Sequence, residues 1–182
     1  VSSRGLGDVY KRQIYGVNPN GRVAENTHLS WRSPAPWKGK QRLIKIDLIS
    51  GEKTTIEPFD KEGGGIIAPP VNVPEYEMCI AWDSINGGLA GISTTDTKLA
   101  VSWQLDVRPT MQPVVFPESG ELVINNFEKG EDELIVVDIA TGELLSRAKV
   151  NARLANGMFL TPGFNRDIFY CTTGTFSKVT WY

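Results

Sequence analysis

The sequence predicts an all-β fold that is built from one repeated module. The stretch Leu134–Glu143, a run of strand-forming residues followed by an Asp-x-x-Thr-Gly turn, aligns without a gap on Leu43–Glu52, 91 residues earlier. Pro117 and Pro162 each follow a short apolar run and lie 45 residues apart, about half that distance. No stretch of about ten residues has apolar residues at helical spacing. The module is therefore about 45 residues long and contains strands only.

Within each module, runs rich in β-branched and apolar residues alternate with turns rich in Gly, Pro and Asn. Gly51 and Asn86-Gly87-Gly88 predict tight turns because glycine tolerates positive φ. The predicted strands are Leu29–Arg32, Arg42–Leu48, Lys53–Ile56, Ile66–Pro70, Met78–Trp82, Leu89–Ser93, Leu99–Leu105, Pro113–Phe116, Glu121–Asn125, Glu133–Ile139, Glu143–Val150, Gly157–Pro162, Asp167–Cys171 and Phe176–Tyr182.

A four-stranded module of this length is typical of a β-propeller blade. We predict a partial β-propeller of about three and a half four-stranded antiparallel blades within residues 14–182. The blades are placed at approximately 14–60, 63–107, 108–151 and 152–182, the last of them truncated inside a strand at the chain end. A β-sandwich or open barrel is the alternative, but neither accounts for an ungapped copy at two-module spacing.

Two stretches are interpreted as containing no strand. Val1–Gln13 has neither helical nor strand periodicity and resembles a translated sequencing adaptor, so we expect a non-native leader there. Gly63–Gly65 has no following Lys-Ser/Thr, which a phosphate-binding loop requires, and is interpreted as the linker between the first two blades. The leader and the truncated last blade together predict that the chain is a fragment of a larger ring.

The overall composition argues against two classes of partner. Of the 182 residues, 22% are charged and 41% are hydrophobic, and the net charge is −2, so no basic surface for nucleic acid is expected. No apolar run approaches the roughly 20 residues of a membrane-spanning helix. Cys79 and Cys171 are predicted to be two buried free thiols, with a disulfide as the open alternative.

Few residues in the N-terminal segment are candidates for a site. His28 is the only histidine, so a site with several histidines is excluded and any His-based triad would depend on this residue alone. We expect His28 to lie at an edge or in solvent. Trp31 and Trp37 flank prolines, and edge packing is favoured for them over contact with a ligand.

Further along the chain, polar residues lie near predicted strand ends. Asp83, Asp106 and Arg108 are candidates because propeller sites are often built from the loops at strand ends. The run Glu131-Asp132-Glu133 lacks the spacing of a calcium loop and is interpreted as solvated turn charge. No catalytic residue, cofactor ligand or metal ligand is predicted.

The two aligned turns resemble the inter-strand turn of quinoprotein-type (PQQ-like) propeller repeats. In that family the third strand ends in Asp and a Thr-Gly turn follows, as in Val137–Glu143 and Ile46–Glu52. We expect the Asp side chain to cap the turn and the Gly to take the strained position. The resemblance covers roughly Arg42–Tyr182.

The family also has a Trp a few residues after the turn, which docks neighbouring blades. Ser146 and Thr55 occupy that position in the two copies, so a docking Trp is not expected there. Trp103 lies on a predicted fourth strand, in a module that lacks the Asp-x-x-Thr-Gly turn.

The resemblance implies a periplasmic or secreted protein and makes PQQ a possible cofactor. Because the chain contains no catalytic constellation, we expect a non-catalytic binding or assembly scaffold whose partner is a protein or a small molecule. Two alternatives remain open. One is a quinoprotein-like oxidoreductase, and the other is a metal-dependent propeller hydrolase, in each case with an active site on blades outside this chain. Whether the protein is an enzyme is left undecided by the sequence.

Overall fold

The computed structural model describes residues 39–64, 69–95, 98–152, 159–172 and 174–182. Throughout these ranges the regular structure is strand, apart from one 3₁₀ turn at Pro74–Tyr76, so the prediction of an all-β chain is confirmed. The predicted leader Val1–Gln13, the predicted strand Leu29–Arg32 and the candidates His28 and Trp37 lie outside the described residues.

The described strands are β1 (Leu43–Ile46), β2 (Lys53–Ile56), β3 (Val71–Val73), β4 (Met78–Trp82), β5 (Leu89–Ser93), β6 (Ala100–Leu105), β7 (Val114–Phe116), β8 (Glu121–Glu128), β9 (Glu131–Asp138), β10 (Leu144–Lys149), β11 (Phe159–Pro162), β12 (Asp167–Cys171) and β13 (Phe176–Thr180). They form four antiparallel sheets, and each strand pairs with its neighbours in the chain. The first sheet is β1-β2, the second β3-β4-β5-β6, the third β7-β8-β9-β10 and the fourth β11-β12-β13.

The strand boundaries differ most from the sequence prediction at two places. The second sheet begins with β3, whereas the predicted strand Ile66–Pro70 lies partly outside the described residues. The turn between β8 and β9 contains only Lys129 and Gly130, both at positive φ, so β8 and β9 are longer than expected. A two-residue turn of this kind suits the right-handed twist of a hairpin.

The second sheet is buried on both faces. Along β4, Ile80 and Trp82 pack toward the third sheet, and Cys79 and Ala81 pack toward the first sheet, where Leu43 lies. All five residues of β4 are buried. Because alternate residues of a strand point to opposite faces, an apolar run without alternation requires a cover on each side.

The third sheet is buried in the same manner. Leu122 and Ile124 of β8 join the core shared with the second sheet, whereas Val123 joins the core shared with the fourth. Ile168 and Tyr170 of β12 supply the other side of that second core. The sheets therefore pack face to face in chain order, with the first against the second, the second against the third and the third against the fourth.

The last strand of the second and of the third sheet lies at an exposed edge. Every residue of β10 is exposed, and Trp103 is the only buried residue of β6. The side chains of these outer strands are therefore far less buried than those of β8 and β9.

The predicted Asp-capped turns have one common geometry. Asp47 Oδ1 accepts hydrogen bonds from the backbone N–H groups of Ile49 (2.8 Å) and Ser50 (2.7 Å). Asp138 Oδ1 accepts from both the N–H (2.8 Å) and the hydroxyl (2.9 Å) of Thr141. The glycine of each turn has nearly the same positive φ, 74° at Gly51 and 75° at Gly142. Both expectations for this turn, the side-chain cap and the strained glycine, agree with the geometry.

Trp103 joins the second sheet to the turn of the third. Its Nε1 donates a 2.9 Å hydrogen bond to the carbonyl of Ile139, and its ring lies directly against Gly142. A Cβ atom added to Gly142 would lie 2.6 Å from the ring. Trp103 therefore crosses the interface between the second and third sheets and packs on the turn that follows β9.

This contact predicts that two equivalent glycines differ in their tolerance of a side chain. Gly51→Ala should cost about 1 kcal/mol because it adds backbone strain in open space. Gly142→Ala should cost about 2–4 kcal/mol because the added methyl group must also displace the Trp103 ring. Urea unfolding monitored by tryptophan fluorescence measures both values. Equal losses of stability in the two variants would contradict the proposed role of this contact.

Candidate functional site

Asp83 is a capping residue and not an open ligand group. It is fully buried at the end of β4, and its Oδ1 accepts hydrogen bonds from the N–H groups of Ile85 (2.9 Å) and Asn86 (3.0 Å). Gly87 N–H donates to the Asp83 carbonyl, as Gly142 does to Asp138. Asp83–Gly88 is thus a third copy of the Asp-capped turn, which sequence reasoning missed because Asn replaces the Ser or Thr before the glycine.

Arg108 and Asp106 lie at the same end of the second sheet as Asp83, since β4 and β6 are parallel to each other. Arg108 Nε donates a 3.2 Å hydrogen bond to the carbonyl of Ser84 and so braces the Asp83 turn. Asp106 is exposed and lines a groove of about 330 Å³ together with Lys61. The three predicted candidates are brought together, but two of them stabilise the loop.

The interpretation of Glu131-Asp132-Glu133 as solvated turn charge is wrong for its central residue. Asp132 is only 2% exposed. Because the preceding turn has two residues, Asp132 already belongs to β9, and strand alternation turns it toward the fourth sheet. Glu133 and Glu131 point the other way, and they form exposed ion pairs with Arg147 and Lys149.

Asp132 belongs to a buried polar network between the third and fourth sheets. Its Oδ2 accepts a 2.6 Å hydrogen bond from the hydroxyl of Tyr170, and its Oδ1 accepts a 2.8 Å bond from Asn125 Nδ2. Asn125 Oδ1 in turn accepts from the N–H groups of Thr110 and Met111 at 3.0 and 3.1 Å. Burial, and next the adjacent Asp132 carboxylate, raise the pKa of Tyr170 far above its ordinary value, so the phenol remains a donor.

In the part of the chain that the structure describes, neither the acidic groups nor the cysteines form a metal site. Within the described ranges, no three His, Cys, Asp or Glu side chains come close enough to hold a metal ion. Cys79 is buried and Cys171 is half-buried, and both are free thiols. Burial raises the pKa of Cys79 to about 12, so this thiol is protonated at neutral pH and is a poor nucleophile.

A groove lies between the third and fourth sheets, at the end where β7 turns into β8. One wall is the turn Pro117–Gly120 and the other is the corresponding turn Gly163–Arg166. Its volume is about 610 Å³, within the range of roughly 300–1,000 Å³ that is usual for ligand sites. We refer to it as the inter-turn groove.

An ion pair holds Arg166 in place in the wall of the inter-turn groove. Arg166 binds both carboxylate oxygens of the buried Glu121, with Nε 2.7 Å from Oε2. Ser119 Oγ (2.8 Å) and Trp181 Nε1 (3.3 Å) donate to the same Oε2 atom. The Arg166 guanidinium, followed by the Ser119 and Trp181 bonds, keeps the pKa of Glu121 below its ordinary value despite the cost of burial.

Aromatic contacts fix the position of this ion pair. The Trp181 ring meets Phe116 edge to face at a centroid distance of 5.3 Å, and the Arg166 guanidinium lies 5.6 Å from the Trp181 ring centroid. Sequence reasoning did not find the site, because Glu121 and Arg166 belong to different modules. The only signal was that both flank corresponding turns of the 45-residue repeat.

Comparisons with known proteins give no match, either to a protein-family model or to a curated protein. Within the described ranges, none of the helical structure has the length and apolar character that a helical membrane crossing requires. Assignment of a function therefore depends on the arrangement of sheets and on the grooves between their turns.

The buried network predicts a large effect of a single hydroxyl group. Tyr170→Phe should lower the free energy of unfolding by about 1–3 kcal/mol, because the buried Asp132 carboxylate loses a donor. Tyr76→Phe is the matched control, since its hydroxyl donates a longer 3.2 Å bond to the neutral carbonyl of Pro117. That change should cost only about 0.5–1 kcal/mol. Chemical denaturation of both variants tests the difference, and a control loss equal to the Tyr170 loss would refute it.

The Glu121–Arg166 pair predicts a defined pH dependence. A carboxyl group with a depressed folded-state pKa adds stability above its unfolded pKa, near 4.5 for Glu, and this stability is lost as the pH falls through the folded pKa. Glu121→Gln should therefore be less stable than the parent at pH 7, and the gap should narrow below about pH 4. Urea titrations across pH 3–7 measure the difference in unfolding free energy between the two proteins. The other carboxyl groups with lowered pKa values are present in both proteins, so their contributions to this difference cancel. A gap that stays constant with pH would contradict the assignment.

Proposed function

We propose that the four sheets are successive blades of a β-propeller and that the protein serves as a non-catalytic scaffold for binding or assembly. The observation that carries this proposal is the burial of both faces of the second and third sheets by their neighbours in the chain. In a two-layer sandwich each sheet has one covered face and one solvated face. Antiparallel sheets that pack face to face in chain order fit the blades of a propeller better, because propeller blades repeat around a central axis.

The contacts between sheets support a repeat of the quinoprotein type. Trp103 packs on Gly142 of the following sheet and donates a hydrogen bond to the Ile139 carbonyl. A contact of this type would dock one blade on the next. The Asp-capped turns at Asp47 and Asp138 have the same pattern of backbone hydrogen bonds, which supports a common module. The PQQ-like resemblance is accordingly part of the proposal for the fold, with no cofactor assigned to these residues.

The outer face of the fourth sheet carries exposed aromatic side chains. On the side of the fourth sheet that faces away from the third, Phe159 is 60% exposed and Phe176 is 72% exposed. Phe169 stacks on Phe176 with a centroid distance of 5.4 Å, and Cys171 pairs in register with both Phe159 and Phe176. We call this surface the phenylalanine face.

The phenylalanine face resembles the apolar sheet faces that are covered elsewhere in the chain. The faces of the second and third sheets that carry such apolar side chains are each packed against another sheet, so the same kind of partner is expected here. The Lys178–Asp167 ion pair on this side leaves no net charge that would repel a like surface. For the isolated 182-residue chain, the proposed occupant is the phenylalanine face of a second copy.

Sedimentation velocity of the 182-residue chain tests the assembly role. The parent should associate in a concentration-dependent manner, and Phe159→Ser with Phe176→Ser should return it to monomer because the apolar surface is lost. The matched control is Leu144→Ser with Leu145→Ser, which removes two exposed apolar side chains from the outer edge strand β10. This control should still associate. A parent that is monomeric at every concentration, or a control that dissociates equally, would overturn the proposed face.

A further inference from the structure

The inter-turn groove has rigid walls from two different sheets. Phe116 is fixed by its edge contact with Trp181, and Arg166 is fixed by its ion pair with Glu121. Prolines line both sides, Pro117 from the third sheet and Pro162 from the fourth. Such preorganised walls lower the entropy cost of binding a partner.

The charges of the groove favour a cation. The positive charge of Arg166 is matched by the buried Glu121 carboxylate. Glu118 also lines the groove, is exposed, and has no ion pair or hydrogen bond among the side chains of the described ranges. The Arg166–Glu121 pair is neutral overall, so the exposed carboxylate of Glu118 leaves one negative charge at the groove, and the chain as a whole carries a net charge of −2.

An aromatic side chain lies beside this carboxylate. Phe164 lines the same groove and is 98% exposed, so its ring lacks the packing that would explain an aromatic residue in a turn. A carboxylate, an open aromatic ring and apolar walls together suit a cation that has an alkyl stem. A guanidinium group satisfies all three, because it pairs with carboxylates and also stacks on aromatic faces.

We propose that the inter-turn groove binds an arginine side chain of a partner polypeptide. The guanidinium pairs with Glu118 and stacks on Phe164, while the aliphatic stem lies against Phe116 and Pro117. This site deepens the proposed function and rests on it, because the groove exists only where the third and fourth sheets pack together. Binding is expected to weaken as salt is added, since Glu118 is exposed and its charge is screened.

The experiment is an NMR titration of the ¹⁵N-labelled 182-residue chain carrying Phe159→Ser and Phe176→Ser, which keeps it monomeric. The probes are N-acetylarginine amide and its neutral isostere N-acetylcitrulline amide. The arginine amide should shift resonances of residues 115–119 and 163–166, and the citrulline amide should bind at least about twofold more weakly. Equal binding of the two probes, or no shifts with either, would overturn the proposal.

Variants separate recognition from folding. Glu118→Gln should reduce the affinity for the arginine amide about two- to fivefold, the range for one exposed ion pair. Glu143→Gln is the matched control, an exposed carboxylate in another turn of the third sheet, and should leave affinity unchanged. Phe164→Ser should also weaken binding. Unchanged affinity in both groove variants would contradict the assigned contacts.

The same spectra distinguish failure of the site from failure of the proposed function. The Trp103 indole N–H is protected from solvent exchange only if the second and third sheets pack as described, and that of Trp181 reports the third and fourth. Protected indoles without arginine binding would refute the groove alone. Rapid exchange at both indoles would refute the stacked arrangement itself.

Discussion

Burial of both faces of the inner strands is the constraint on which the structure depends. Neighbouring residues of β8, such as Val123 and Ile124, point to opposite faces and are both buried. A sheet of this composition exposes a large apolar surface unless it is covered on each side. Each inner sheet therefore depends on its neighbours for burial, and contacts between sheets that are neighbours in the chain contribute much of its stability.

Polar contacts give this apolar stack its register. Apolar surfaces can slide with little change in energy, whereas a buried polar group must meet its partner at a fixed distance. Asp132 meets Tyr170 at 2.6 Å in the middle of one interface, and Glu121 meets Arg166 at its end. Trp103 does the same for the preceding interface through the Ile139 carbonyl. Every one of these contacts joins two sheets, and none lies within one.

The sequence predicted what depends on local signals. Strand density, glycine turns and the Asp caps are encoded within about ten residues, and so the strands and the turns at Asp47 and Asp138 could be placed without coordinates. Contacts between modules could not be placed, because nothing in the sequence near Asp132 identifies Tyr170, 38 residues later. The same limit explains why no partner was predicted for Trp103, because Gly142 belongs to the following sheet.

The position of the inter-turn groove depends on both local contacts within each turn and distant contacts between the sheets. The turns themselves are short and are set by local chemistry, while their separation is set by how the third and fourth sheets pack. Glu121 and Trp181 tie the two turns to that packed core, and so a change in the interface would be transmitted to the groove. Phe164 and Glu118 project from this fixed base without contributing to it, which leaves their side chains available to a partner. Surface loops on a rigid scaffold commonly carry binding residues for this reason, because recognition groups can vary there without loss of the core.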